Sequence, residues 1–109
     1  MRSIKTIIRR DKFDEVRDAL DAIGVTGVTV TEVLGRGRRE REERVFRGRT
    51  YVLKFAPHMQ VELVVHESVV DDVVQTIMRA ARTGAAGDGM VFVSNVDDSY
   101  RIRTGEWEG

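Results

Sequence analysis

An α+β fold built from two strand–helix–strand units is what this 109-residue sequence predicts, on three observations. Two segments carry apolar residues at helical spacing. Four others are rich in β-branched residues or alternate apolar with polar. The six fall in the order strand, helix, strand, a long charged insert, strand, helix, strand.

Residues 4–8, Ile-Lys-Thr-Ile-Ile, form the first expected strand. Asp11 is placed to cap a helix whose apolar stripe is Phe13, Val16, Leu20 and Ile23, with Gly24 as its stop. Residues 25–34, dense in Val and Thr, predict a second strand. Met59, Val61, Leu63 and Val65 alternate with Gln60, Glu62 and Val64, a third strand with one strongly apolar face. A second helix is expected from Glu67 or Ser68, burying Val70, Val73, Val74, Ile77, Met78 and Ala81 and stopping at Gly84. After a glycine-punctuated loop, residues 90–94 predict the fourth strand, and the tail around residues 100–105 reads as a short extended piece. Two such units side by side give a four-stranded antiparallel sheet with both helices on one face, the ferredoxin-like plan. The opposite sheet face keeps many β-branched residues, so self-association is expected.

The length suits a single domain over residues 1–109, and 41% hydrophobic with 33% charged residues suits a solvated fold with its own core. Eighteen basic and eighteen acidic residues cancel, so the chain as a whole has no pull toward nucleic acid or anionic lipid. The distribution is uneven: residues 36–54 hold eight basic and three acidic side chains, a basic insert in an acidic body. The absence of cysteine excludes a disulfide framework, a thiolate nucleophile and a cysteine metal site. Residues 1–5 lack the apolar stretch of a signal peptide, and nothing approaches the roughly 18 apolar residues a membrane span needs. A cytoplasmic protein without membrane insertion is expected.

Catalysis finds little support. His58 and His66 flank one strand, roughly 25 Å apart if fully extended, so they cannot share a metal. No carboxylate spacing singles out an acid–base pair, and neither Ser68 nor Ser94 has a histidine placed to activate it. Neither a catalytic residue nor a metal site is assigned. Nucleic-acid binding is disfavoured as well: the first and third strands lack the aromatic residues on which ferredoxin-like RNA binders stack bases.

Anion binding fares better. The loop Thr83-Gly-Ala-Ala-Gly-Asp-Gly89 can turn consecutive N–H groups toward one point, though taken alone it reads first as a glycine helix stop followed by a turn. Its spacing matches neither a P-loop nor a dinucleotide fingerprint. Arg101 and Arg103, two apart in an extended tail, would project to one side, and Gly35-Arg-Gly-Arg38 adds a basic, flexible point after the second strand. Converging, these three describe an anion pocket.

Taken in order, Val16-Arg-Asp-Ala-Leu20, Gly24-Val-Thr-Gly-Val-Thr-Val-Thr-Glu-Val33, Gly35-Arg-Gly-Arg38, Phe46-Arg-Gly48, the 83–89 loop and Arg101-Ile-Arg-Thr-Gly-Glu106 resemble the P-II family of signal-transduction proteins, from residue 1 to about residue 106. The resemblance implies a non-enzymatic homotrimer whose inter-subunit clefts bind adenine nucleotides (ATP, ADP or AMP, with magnesium alongside ATP) and which needs no catalytic cofactor. It also implies that the insert, at about residues 36–55, is the long loop that engages ammonium transporters, nitrogen-assimilation enzymes and regulators. By the same resemblance the nucleotide site would use Thr29, Gly35, Gly37, Arg38 and Val64, backbone donors from Gly87, Asp88 and Gly89, the adjoining Met90, and Arg101 and Arg103 from a neighbouring subunit. Tyr51 stands at the position some members modify with a nucleotidyl group.

Three departures qualify the expectation. Arg39 replaces a glutamine that helps hold magnesium and 2-oxoglutarate, His58 replaces a lysine that pairs with the 2-oxoglutarate carboxylate, and Met90 replaces a phosphate-binding lysine. A guanidinium is no magnesium ligand and a thioether neutralises no phosphate. Arg39 and His58, with Glu62 nearby, mark a possible second-ligand site. Adenine-nucleotide binding with weaker selectivity for ATP, and weak or lost 2-oxoglutarate sensing, are therefore expected. The alternative is a divergent sensor of another small ligand, bicarbonate or a cyclic nucleotide, serving carbon or ion transport.

Overall fold

The structure, a computed structural model, describes residues 1–36, 43–46, 49–52 and 55–109, with the backbone alone for the two middle segments. Strands β1 (Arg2–Arg9), β2 (Thr29–Gly35), β5 (Ala56–Val65) and β6 (Gly89–Asn95) form one antiparallel sheet in the order β2-β5-β1-β6. Helices α1 (Phe13–Ala22) and α2 (Val70–Ala81) form the crossovers. This is the expected ferredoxin-like arrangement. A separate two-stranded hairpin, β3 (Glu43–Phe46) with β4 (Arg49–Val52), lies in the basic insert, where the sequence reading had only a loop. No clear alternation of apolar residues announced it.

The register explains the core. Ile4, Thr6 and Ile8 of β1 stand opposite Leu63, Val61 and Met59 of β5, and period-two alternation puts all six on one face. Val16 and Leu20 of α1 and Val73, Ile77 and Ala81 of α2 close over that face. Of the second helix's expected core residues, Val73, Ile77 and Ala81 are buried; Val70 and Val74 are partly so. Thr6 and Thr76 are also buried, polar residues that a count of apolar positions passes over. The Thr6 hydroxyl is satisfied by donating to the Met90 carbonyl at 2.9 Å.

Helix ends differ from expectation in instructive ways. Gly24 does stop α1: at φ +82° its N–H donates to the Asp21 carbonyl and that of Val25 to the Leu20 carbonyl, the paired bonds of a Schellman ending. Asp11 is not the cap, because it lies inside a 3-10 turn (Arg10–Lys12) that precedes α1, and no side chain caps either start. Ahead of α2 a 3-10 turn, Glu67–Val69, is capped by His66, whose Nδ1 accepts from the Ser68 N–H at 3.2 Å; α2 itself starts after Val69 with no side-chain cap. The end of α2 is not Gly84; the helix finishes at Ala81 because Arg82 is already extended, at ψ 130°. The tail is not extended either. Residues 102–104 turn, Gly105 donates to the Arg101 carbonyl at 2.7 Å, and Tyr100 bridges to Trp107. Gly105 at φ +72° permits that reversal.

β6 reaches β1 only because residue 89 is glycine. A Cβ there would sit 1.7 Å from the Ile7 carbonyl oxygen, at φ +108°. Gly89→Ala is expected to cost about 2 kcal/mol or more, read as a lower midpoint in urea unfolding. A wild-type midpoint would show that β6 can shift away from β1.

Candidate functional site

The C-terminal end of β1 gathers the site. Arg9 closes the β1–β5 register opposite His58, and on the other side Ile8 stands opposite Gly89. From there Arg9 Nε donates to Asp88 Oδ1 at 3.0 Å and Nη2 to the Ala86 carbonyl at 2.6 Å. Asp88 turns its carboxylate back into its own loop. Oδ2 accepts from the Thr83 and Gly84 N–H groups, each at 2.9 Å, and Oδ1 accepts from the Thr83 hydroxyl. Residues 83–88 are thereby closed around one carboxylate, with Gly84 and Gly87 at positive φ to make the bend.

This arrangement sorts the glycine loop's donors. The Thr83 and Gly84 N–H groups are taken by Asp88, whereas among the described residues nothing accepts from those of Ala86, Gly87 and Asp88. A closed turn with spare N–H groups at its far end is a suitable seat for an anion. The Thr83 hydroxyl above all, then the Thr83 and Gly84 N–H groups and Arg9, hold the Asp88 carboxyl well below the usual carboxylate range, against the burial that pushes it up. Asp88 is therefore a scaffold anion. Arg9, which the sequence reading did not single out, supplies the guanidinium that the loop meets within its own chain.

The other expected residues divide into three groups. Thr29, Glu62 and Val64 line one open hollow of about 380 Å³ with Ser3, Gly27, Val28 and Leu63. By alternation Thr29 shares the helix-free sheet face with Gly35 and with His58, Glu62 and Val64 of β5. Nearer the loop, the His58 ring is 6% exposed, with Nδ1 3.0 Å from the Ala56 carbonyl oxygen and Nε2 3.2 Å from that of Gly87. Met90 sends an exposed side chain from β6.

Arg101 and Arg103 belong to the tail turn instead. The Arg101 guanidinium holds Glu108, with Nε donating to Oε1 at 2.7 Å and Nη2 2.5 Å from the same oxygen. Arg103 is exposed. The same-side projection expected of an extended pair therefore has no basis here. Gly37, Arg38 and Arg39 lie outside the described residues, as does the side chain of Tyr51, whose backbone pairs with Arg44 in the β3–β4 hairpin. Among the described residues no group of three or more His, Asp or Glu side chains gathers as a metal site. No helix among them is long and apolar enough to cross a membrane.

The ferredoxin-like sheet carries a self-closed glycine loop at one end, with a charged insert in the chain between β2 and β5. The family model described as "Nitrogen regulatory protein P-II" matches residues 1–106. Relatives include "Nitrogen regulatory protein P-II 1" of Escherichia coli, 47% identical over 97% of this chain and 95% of its own length, and "Nitrogen regulatory protein P-II 2" of Methanothermobacter thermautotrophicus, 49% identical over 97% and 92%. "Nitrogen regulatory protein P-II" of Bradyrhizobium diazoefficiens is 43% identical over 97% and 95%. The chain belongs to the P-II family of nitrogen regulatory signal-transduction proteins.

A carboxylate held below its unfolded pKa stabilises the fold in full above that value and loses the contribution as pH falls through it toward the folded one. Asp88→Asn is expected to lower the urea midpoint at pH 7, with the difference from wild type shrinking as pH drops below about 4. A difference constant from pH 7 to pH 3 would assign the loss to packing rather than charge.

Proposed function

We propose that this P-II protein binds adenine nucleotides and passes their occupancy to its basic insert, which controls a partner protein. The supporting observation is the 83–89 loop: its internal bonds to Asp88 leave the Ala86, Gly87 and Asp88 N–H groups for phosphate, and it abuts the end of the sheet from which the insert departs. Thr29 and Val64 line the hollow on the same sheet face and would receive the base and ribose. Gly35, Gly37 and Arg38 would meet the phosphates at the insert's exit, with backbone donors from Gly87 to Gly89.

The assembly in this reading is a homotrimer, with the whole chain as one domain. Val64, Met90 and Phe92 expose apolar surface on the helix-free face, as a self-associating sheet would. Arg101 and Arg103 would then come from a neighbouring subunit, the Arg101 guanidinium exchanging Glu108 for a phosphate oxygen. The partner is a membrane transporter or an enzyme of nitrogen metabolism, engaged from the cytoplasm by the arginine-rich insert, and Tyr51 is a possible modification site there. The protein acts by binding, without turnover.

Selectivity follows from two side chains. Met90 supplies no cation to a triphosphate, so ATP loses a charge-assisted contact that ADP and AMP depend on less. His58 is buried against two backbone carbonyls, so it is not extended toward a second ligand, and 2-oxoglutarate synergy is weak or absent in this reading. Magnesium, if it accompanies ATP, is carried by the phosphates, since Arg39 cannot ligate it.

Titration calorimetry with ATP, ADP and AMP, each with and without magnesium and 2-oxoglutarate, tests this. Micromolar nucleotide binding that 2-oxoglutarate leaves unchanged is expected; strong synergy would overturn the assignment of His58 and Arg39. Arg103→Ala should weaken nucleotide binding about tenfold or more. By sedimentation it should keep a particle of about three times the 12.4 kDa chain. Unchanged affinity would remove Arg103 from the pocket.

A further inference from the structure

His58 touches the paired ends of β2 and β5 and the glycine loop at once. Its Nδ1 faces the Ala56 carbonyl at 3.0 Å, and its Nε2 faces the Gly87 carbonyl at 3.2 Å. A Cβ built on Gly35 would stand 3.3 Å from Nδ1, so the glycine backbone lies directly on the ring. Gly35 and Ala56 are the last pair in the β2–β5 register, where the chain leaves for the basic insert and returns from it. One step further out, Arg36 stacks on Phe55 with Cζ 4.9 Å from the ring centroid. The ring thus joins the stem of the insert to the glycine loop, and at 6% exposure water does not compete freely for either nitrogen.

Both nitrogens face acceptors, which sets a constraint. A neutral imidazole carries one N–H and can donate to one of the two carbonyls, leaving a lone pair against the other. The two tautomers are therefore distinct states: Nε2–H holds the loop through Gly87, and Nδ1–H holds the stem through Ala56. A lysine at this position would have three donors on a flexible chain and would face no such choice.

We propose that His58 is a positioning residue that couples the glycine loop to the stem of the insert by exchanging its ring N–H between Gly87 and Ala56. The coupling rests on the nucleotide reading above. Phosphate drawn to the Gly87–Asp88 N–H groups reorients the Gly87 peptide and takes its carbonyl off Nε2. The proton then resides on Nδ1 and the ring closes on Ala56, stiffening the strand ends at Gly35 and Ala56. A ligand that distinguishes two discrete states shifts their populations, and this contact supplies the states.

Nitrogen-15 spectra of the imidazoles, recorded with and without ADP, test it directly. His66 serves as an internal reference, because its Nδ1 accepts from the Ser68 N–H in a contact remote from the glycine loop. The expected result is Nε2–H at His58 without nucleotide and Nδ1–H with it. The same form in both states, the doubly protonated ring included, overturns the proposal. Two variants add a readout at the insert, whose arginines are sites for trypsin. His58→Gln places an amide near the Nε2 position and His58→Asn near Nδ1. Wild type should change its tryptic cleavage rate on binding ADP by about fivefold or more. The Gln variant should keep the nucleotide-free rate and the Asn variant the bound rate, whether or not ADP is added, while calorimetry still detects ADP. Variants that respond as wild type does would overturn the coupling. Failure of wild type to bind ADP at all would instead overturn the nucleotide reading.

Discussion

β1 sits between β5 and β6, hydrogen-bonded on both sides, and its register on each fixes where everything else stands. On the helix side its row of Ile4, Thr6 and Ile8 is closed off completely by α1, α2 and the facing row of β5. A one-residue slip would turn that row to the open face and carry Lys5 and Ile7 inward, so burial locks the register strongly. The same lock sets the end of the strand. Arg9 falls opposite His58, and Ile7 falls where only glycine can pass at residue 89.

From that end the electrostatics follow. The glycine loop would be an open bend were Asp88 not within it, accepting from Thr83 and Gly84 and from Arg9 across the sheet. The carboxylate draws a glycine-rich segment into a closed turn. Charge is used here for shape. Met90 continues straight into β6, its carbonyl bonded to Thr6 and its side chain on the face without helices. In this protein the loop is organised around the Asp88 carboxylate, held by Thr83 and Gly84 within the loop and by Arg9 from β1.

The insert's stem is organised from the opposite side. β2 is an edge strand, exposed along most of its length, and β5 gives it the one neighbour it has in the sheet. Where these strands end, the small residues Gly35 and Ala56 leave room for the His58 ring. A buried ring touching both strand ends and the loop makes the three segments mechanically adjacent, although 29 residues separate His58 from Gly87.

The sequence by itself determined the order of the four sheet strands and two helices, the apolar faces and the family, because period and spacing are local properties that survive without coordinates. Val73, Ile77 and Ala81 of α2 and the alternating row of β5 were legible in this way, as was the Schellman glycine at residue 24. The motif residues of the glycine loop were legible too, though not what closes it. Only the tertiary structure decided that Arg9 reaches Asp88, 79 residues away, that His58 is spent on two carbonyls, and that the tail turns back so that Arg101 meets Glu108. The β3–β4 hairpin and the cap supplied by His66 belong to the same group. Each depends on which residues the sheet register and the turns bring side by side, and a linear pattern carries the period of a strand but not its partner.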